Sequence, residues 1–247
     1  NGVSATKRIT FRKNGVGNNP KVVAHTGTAA SFNTAAPDGI WSLRGIDFVT
    51  IDGIDLQDNN TTSATTMMEY GYGLFKTGAT DGAQNDTIRN CTITLNRNNV
   101  VAGGANTFGG SVGIAVINGL ATTATTAVLP TATSGANSNN KFIANTVRNA
   151  NIGIGISGFA STATNPFPDS GNGIGDSTQA NSGNTIINFG GGTGAAISSY
   201  GVYLLNQVDA VVANNTINNR ADATGIDHVA SQWGIFTSFP AATVGTT

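Results

Sequence analysis

The stretch that decides the fold is Phe142-Ile143-Ala144-Asn145-Thr146-Val147 followed, after four residues, by Ile152-Gly153-Ile154-Gly155-Ile156. Each half is one copy of a phrase that recurs along the chain. The first phrase, an apolar pair, Asn or Asp, small or polar residues and a further apolar residue, returns as Thr50-Ile51-Asp52-Gly53-Ile54, Ile88-Arg89-Asn90-Cys91-Thr92-Ile93 and Val211-Val212-Ala213-Asn214-Asn215-Thr216-Ile217. Thr185-Ile186-Ile187-Asn188-Phe189 is a weaker copy. The second phrase, an apolar or aromatic residue, Gly and an aliphatic, returns as Tyr72-Gly73-Leu74-Phe75, Val112-Gly113-Ile114-Ala115-Val116, Tyr200-Gly201-Val202-Tyr203-Leu204 and Trp233-Gly234-Ile235-Phe236. The two alternate in fixed order, so one structural unit is reused.

Working outward, Gly73, Gly113, Gly153, Gly201 and Gly234 lie 40, 40, 48 and 33 residues apart. Constant phrases at irregular spacing mean fixed strands and variable loops. Each phrase alternates apolar with small or polar residues, the period of a strand buried on one face. The Thr/Ala/Ser/Asn-rich stretches 59–66, 121–140 and 157–184 read as the loops. Ile9-Thr10-Phe11, Val22-Val23-Ala24 and Ile40-Trp41-Ser42-Leu43 read as strands of one earlier turn. The pattern predicts an all-β chain, a parallel β-helix (solenoid) of about six turns spanning residues 1–247 as a single segment. At ~4.8 Å per turn it would make a rod of about 30 Å. Propeller blades share the unit length, but the phrases lack the tight hairpin turns that blades need.

The 247 residues include 33 Gly and a single Glu, and only 10% are charged. Scarce helix formers beside abundant Thr, Val, Ile and Asn favour strands. Twelve basic against 13 acidic residues, net −1, leave no electrostatic footprint for nucleic acid or an anionic membrane. No apolar run approaches the ~18 residues of a membrane helix. The single Cys91 reads as a small apolar strand residue. No signal-peptide organisation opens the chain at Asn1-Gly2-Val3-Ser4, and strand-like residues begin as early as Thr6, so a segment of a longer protein is expected.

The phrases at 88–93, 212–217 and 153–156 resemble the repeats of right-handed parallel β-helix proteins, the pectin-lyase-like group. Residues 2–12 and 48–54 are similar to large secreted bacterial surface proteins exported by the type IX route. The resemblance implies a right-handed coil and an extracellular or cell-surface location. In this architecture a recurrent Asn suits the corner between sheets, where left-handed backbone is needed and stacked side chains can bond along the axis. Asn90, Asn145 and Asn214 are the expected ladder.

Chemistry is sparse. Gly153-Ile154-Gly155-Ile156-Ser157-Gly158 matches a dinucleotide-binding pattern, but no helix follows to hold the pyrophosphate. Asp52, Asp55 and Asp58 are the carboxylate candidates for acid/base work, without the Gly-His-Gly or basic pair that the family's hydrolases use. Asp227 and His228, near Arg220 and Trp233, form a second candidate pair. Asp169, Asn172 and Asp176 sit in a glycine-rich stretch with oxygen ligands suited to Ca²⁺, without the spacing of an EF-hand. No other cofactor is suggested.

Aromatic placement is more informative. If Leu74, Ile114, Ile154, Val202 and Ile235 face inward, then Phe75, Ala115, Gly155, Tyr203 and Phe236 face outward in one column. Tyr203 and Phe236 on adjacent turns would offer a shelf for sugar rings or another protein, with Phe75 a further contributor, unless a long loop covers them. Tyr72, Tyr200 and Trp233 are expected in the core. The reading that follows is a non-catalytic surface segment acting as adhesin, stalk or carbohydrate-binding surface, with polysaccharide or another surface protein as partner. The alternatives are a polysaccharide lyase or glycoside hydrolase on the same fold, and a passenger domain of a secretion system.

Overall fold

A computed structural model of the chain describes residues 3–28, 31–32, 36–103, 108–159, 166–192, 197–221 and 228–238. The short alternating phrases become parallel strands, three to a turn. The first turn holds β1 (Ile9–Arg12), β2 (Lys21–Val23) and β3 (Gly39–Arg44), and the second β4 (Val49–Asp52), β5 (Asp55–Gln57) and β6 (Tyr70–Lys76). The third holds β7 (Thr87–Arg89), β8 (Thr92–Thr94) and β9 (Val112–Leu120), and the fourth β10 (Lys141–Ile143), β11 (Thr146–Arg148) and β12 (Ile152–Ser157). In the fifth, β13 (Asp169–Ser170) precedes β14 (Gly173–Ile174), β15 (Thr185–Ile187) and β16 (Ser199–Leu205). In the sixth, β17 (Gln207–Val208) precedes β18 (Val211–Val212), β19 (Thr216–Asn218) and β20 (Gln232–Ser238).

Every third strand stacks on its predecessor. The first sheet runs β1-β4-β7-β10-β14-β18, the second β2-β5-β8-β11-β15-β19 and the third β3-β6-β9-β12-β16-β20, while β13 and β17 pair as a small fourth sheet. This is a right-handed parallel β-helix of six turns, as the repeats predict. One departure is the stretch 157–184, expected as a loop. It carries β13 and β14, whose two-residue strands, one of them Gly-Ile, are too short for a periodic signal.

Register turns the alternation into vertical columns inside the coil. Phe11, Ile51, Ile88, Phe142, Ile174 and Val212 stack in the first sheet. Val22, Leu56, Ile93, Val147, Ile186 and Ile217 stack in the second. The third sheet adds Trp41, Tyr72, Ile114, Ile154, Val202 and Ile235, and beside them Leu43, Leu74, Val116, Ile156 and Leu204. From the second turn to the fifth these side chains form one buried cluster. Each fully buried aliphatic contributes about 1.5–3 kcal/mol.

Polar corners close the coil. At the corner between the first and second sheets, Gly53, Asn90, Ala144 and Asn214 take left-handed backbone with φ of 68°, 55°, 52° and 61°. From the fourth turn on, the side chain of an Asn at the start of the second-sheet strand reaches back to the preceding turn. There Asn145 Oδ1 accepts from the Cys91 N–H (3.1 Å), Asn184 Oδ1 from the Asn145 N–H (3.0 Å), and Asn215 Oδ1 from the Asn184 N–H (2.8 Å). The ladder therefore contains Asn145, Asn184 and Asn215. Asn90 and Asn214 lie one residue earlier, and their amides bond outside the column, to Asp52 and to the Asp176 carbonyl. Cys91 tops the same column as a buried free thiol, its pKa raised by burial.

A second ladder at the entry to the first sheet joins the Val49 N–H to Asp86, the Asp86 N–H to Asn140, and the Asn140 N–H to Asn172, at 2.8–3.0 Å. Asn172 then donates to Gln207 Oε1 at 2.8 Å.

Candidate functional site

The third sheet makes the site because its strands change face at one glycine. Gly71, Gly113, Gly153, Gly201 and Gly234 form a column in which the residue before each glycine points outward and the residue after it points inward. A side chain at that step would project into the coil. A Cβ on Gly71 would lie 2.5 Å from Ile93 Cγ2 and 2.6 Å from the Gly113 carbonyl oxygen, and one on Gly201 would lie 2.5 Å from both Ile217 Cγ2 and the Gly234 oxygen. Only glycine allows the turns to approach this closely.

The face change moves two residues that simple alternation assigns to the core. Tyr200 and Trp233 point outward with Tyr70, Val112 and Ile152, whereas Tyr72 stays inside. The second-turn copy is also displaced by two residues: its column glycine is Gly71, so Gly73 pairs with Ala115 and Phe75 pairs with Ile117. Phe75 faces outward but is fully buried, packed edge-on against Tyr70 at 5.3 Å under a cover that includes Phe32 and Phe108. It therefore stands apart from the shelf column.

Among the described residues, the outer cover reaches the fourth and fifth turns through Phe108. Phe108 sits on Gly155, where a Cβ would meet its ring at 2.8 Å, and turns its edge to Tyr203 at a centroid distance of 5.6 Å. Beyond it four rings adjoin. Tyr200 stacks on Trp233 at 5.1 Å with planes 8° apart, and Tyr203 on Phe236 at 5.2 Å and 19°. Tyr200 meets Tyr203 edge-on at 4.8 Å, joining the two stacks. Tyr200, Tyr203 and Phe236 are half-buried, and Trp233 is 36% exposed. Between Phe108 and this ledge lies a cleft of about 260 Å³, lined by Phe108, Ile152, Ile197, Ser198, Tyr200 and Tyr203. Burial, reinforced by Tyr200, raises the Tyr203 phenol pKa, so both hydroxyl donor and ring stay uncharged.

The other candidates are drawn into structural bonds. Asp52 pairs with Arg89 at 2.8 Å and accepts from Asn90 at 2.7 Å. Asp55 accepts from the Thr92 N–H and Asn19, and Asp58 from the Met68 N–H and Asn60. They lie along the corners of one turn, each engaged locally. His228 Nδ1 accepts from the Gly191 N–H at 2.9 Å, which leaves Nε2 to donate to the Ile197 carbonyl at 2.8 Å. It ties its own stretch to two backbone positions of the single connection between β15 and β16; Asp227 lies outside the described residues.

The oxygens considered for Ca²⁺ do not converge. Asp169 is wholly buried, its pKa pushed up to about 6 by desolvation against the opposing pull of Lys76. Asn172 belongs to the second ladder. Asp176 is at the surface, held below the usual carboxylate range by the Thr178 hydroxyl and N–H. Among the described residues no three His, Cys, Asp or Glu side chains are grouped as metal ligands, and no helix is long and apolar enough to cross a membrane.

Alternation alone misses Tyr200, Trp233 and Phe108. The signal for the first two is the aromatic immediately before a column glycine, Tyr200-Gly201 and Trp233-Gly234, while Phe108 sits in a loop with no repeat to align it. Compared with known proteins, the chain matches no family model, no curated protein and no solved structure.

Proposed function

We propose that this chain is a non-catalytic segment of an extracellular or cell-surface protein whose outer aromatic ledge binds carbohydrate, in the manner of an adhesin or a surface-displayed stalk. The observation that carries the reading is the ledge of Tyr200, Tyr203, Trp233 and Phe236 beside the Phe108 cleft on the outer face of the third sheet. Aromatic edges and faces with hydroxyl tips suit the mixed apolar and polar surface of a sugar ring. The similarity of its phrases to pectin-lyase-like repeats, and of residues 2–12 and 48–54 to surface proteins exported by the type IX route, supports the extracellular placement. A lyase or hydrolase reading is less well supported, because Asp52, Asp55, Asp58 and His228 are each committed to structural partners.

The test is a glycan array combined with cell adhesion before and after deletion of the segment. Binding to at least one glycan class, weakened about tenfold or more by Tyr203→Ala, the equivalent of about 1.4 kcal/mol, is the expected outcome. An empty array together with unaltered adhesion overturns the proposal.

A further inference from the structure

The cleft between Phe108 and Tyr203 is built from chain that carries no charge. From Asn98 to Asn140, and again from Ser177 to Val208, there is no Asp, Glu, Lys, Arg or His. These two stretches supply Phe108, Ile197, Ser198, Tyr200 and Tyr203, and Ile152 comes from a third uncharged run between Arg148 and Asp169. His228 touches this lining at the Ile197 carbonyl, and both its ring nitrogens are taken by backbone. By contrast the polar cleft at the first-turn corner is lined by Arg12, Lys13 and Asp52. Among the described residues the lining of the cleft thus carries no Asp, Glu, Lys, Arg or His.

From this we infer that the ledge selects neutral pyranose chains and rejects uronates, an inference that rests on the carbohydrate-binding reading above. A neutral sugar entering the cleft lays its C–H face against the rings and gives its hydroxyls to Ser198, the tyrosine hydroxyls or water. A uronate carboxylate would surrender hydration with no Arg or Lys to replace it, and an uncompensated charge is the costliest group to bury. Discrimination here comes from an unpaired charge on the wrong ligand, so it does not require a special contact to the right one.

The experiment is calorimetric titration of the whole chain with a neutral β-glucan hexasaccharide and an oligogalacturonate of equal length, backed by an array of neutral and acidic glycans. Neutral chains are expected to bind at least about tenfold tighter, with affinity unchanged between low and high salt because no ion pair forms. Tyr203→Ala should abolish this binding and Tyr203→Phe should retain most of it, which separates ring loss from misfolding. Equal or tighter binding of the acidic chain overturns the neutral-ligand inference while leaving carbohydrate binding intact. Neutral binding indifferent to Tyr203→Ala places the site elsewhere and also overturns it. Binding of neither class anywhere on the array overturns both.

Discussion

Asp86 occupies a column whose other members are amides, Asn140 and Asn172. Its Oδ1 accepts from the Val49 N–H, but its Oδ2 is buried with no hydrogen-bond partner. Desolvation pushes its pKa up to about 8, and burial likewise pushes Glu69 to about 7 and Asp169 to about 6. All three values lie above those of free carboxyls, so the folded chain binds more protons than the unfolded chain. Their contribution is therefore present at about pH 4 and is lost as pH rises toward 8. Lys76, lowered to about 8 by burial, acts in a different window: between pH 8 and its ordinary 10.5 the unfolded chain holds more protons, and stability recovers as pH rises. Calorimetry should find a higher Tm near pH 5 than near pH 8. Asp86→Asn, which completes the amide column, should raise stability at pH 8 by about 1–3 kcal/mol and change little at pH 5. An equal effect at both pH values would mean that Asp86 is already ionised in the fold.

At the scale of elements, the third sheet is governed by its glycine column. Gly153→Ala would drive a methyl into the Gly201 carbonyl oxygen and Ile186, in the middle of the stack where backbone on both sides resists movement. Gly234→Ala, the same substitution in the last turn, meets nothing within 4 Å. Urea denaturation should show Gly153→Ala destabilised by about 1–3 kcal/mol or more and Gly234→Ala near wild type. Similar midpoints for the two would refute the column. The recurring glycines are visible in the sequence, but their consequence is not: period-two alternation assigns Tyr200 and Trp233 inward, and only the extra inward step at glycine turns them out. The same applies to the amide ladder. Asn145 is legible as a ladder residue, whereas the choice between neighbours in Asn214-Asn215 depends on which one takes the left-handed corner.

For the whole molecule, six turns, three strands per turn and the position of most loops follow from two alternating phrases, because stacking forces each copy to repeat its apolar positions. The cover over the outer face of the third sheet does not follow. Phe32 and Phe108 come from loops that obey no repeat, and they decide that Phe75 is sealed while Tyr203 borders a cleft. The central claim is that the ledge on the fifth and sixth turns is the binding surface. Trp41 and Trp233 are the two tryptophans, and Trp233 stacks on Tyr200 within the ledge. In a Trp41→Phe variant, fluorescence reports Trp233 alone. Titration with a neutral oligosaccharide should give a saturable blue shift, absent when Tyr203→Ala is added; an unchanged spectrum at a glycan concentration where calorimetry shows full occupancy would contradict the account.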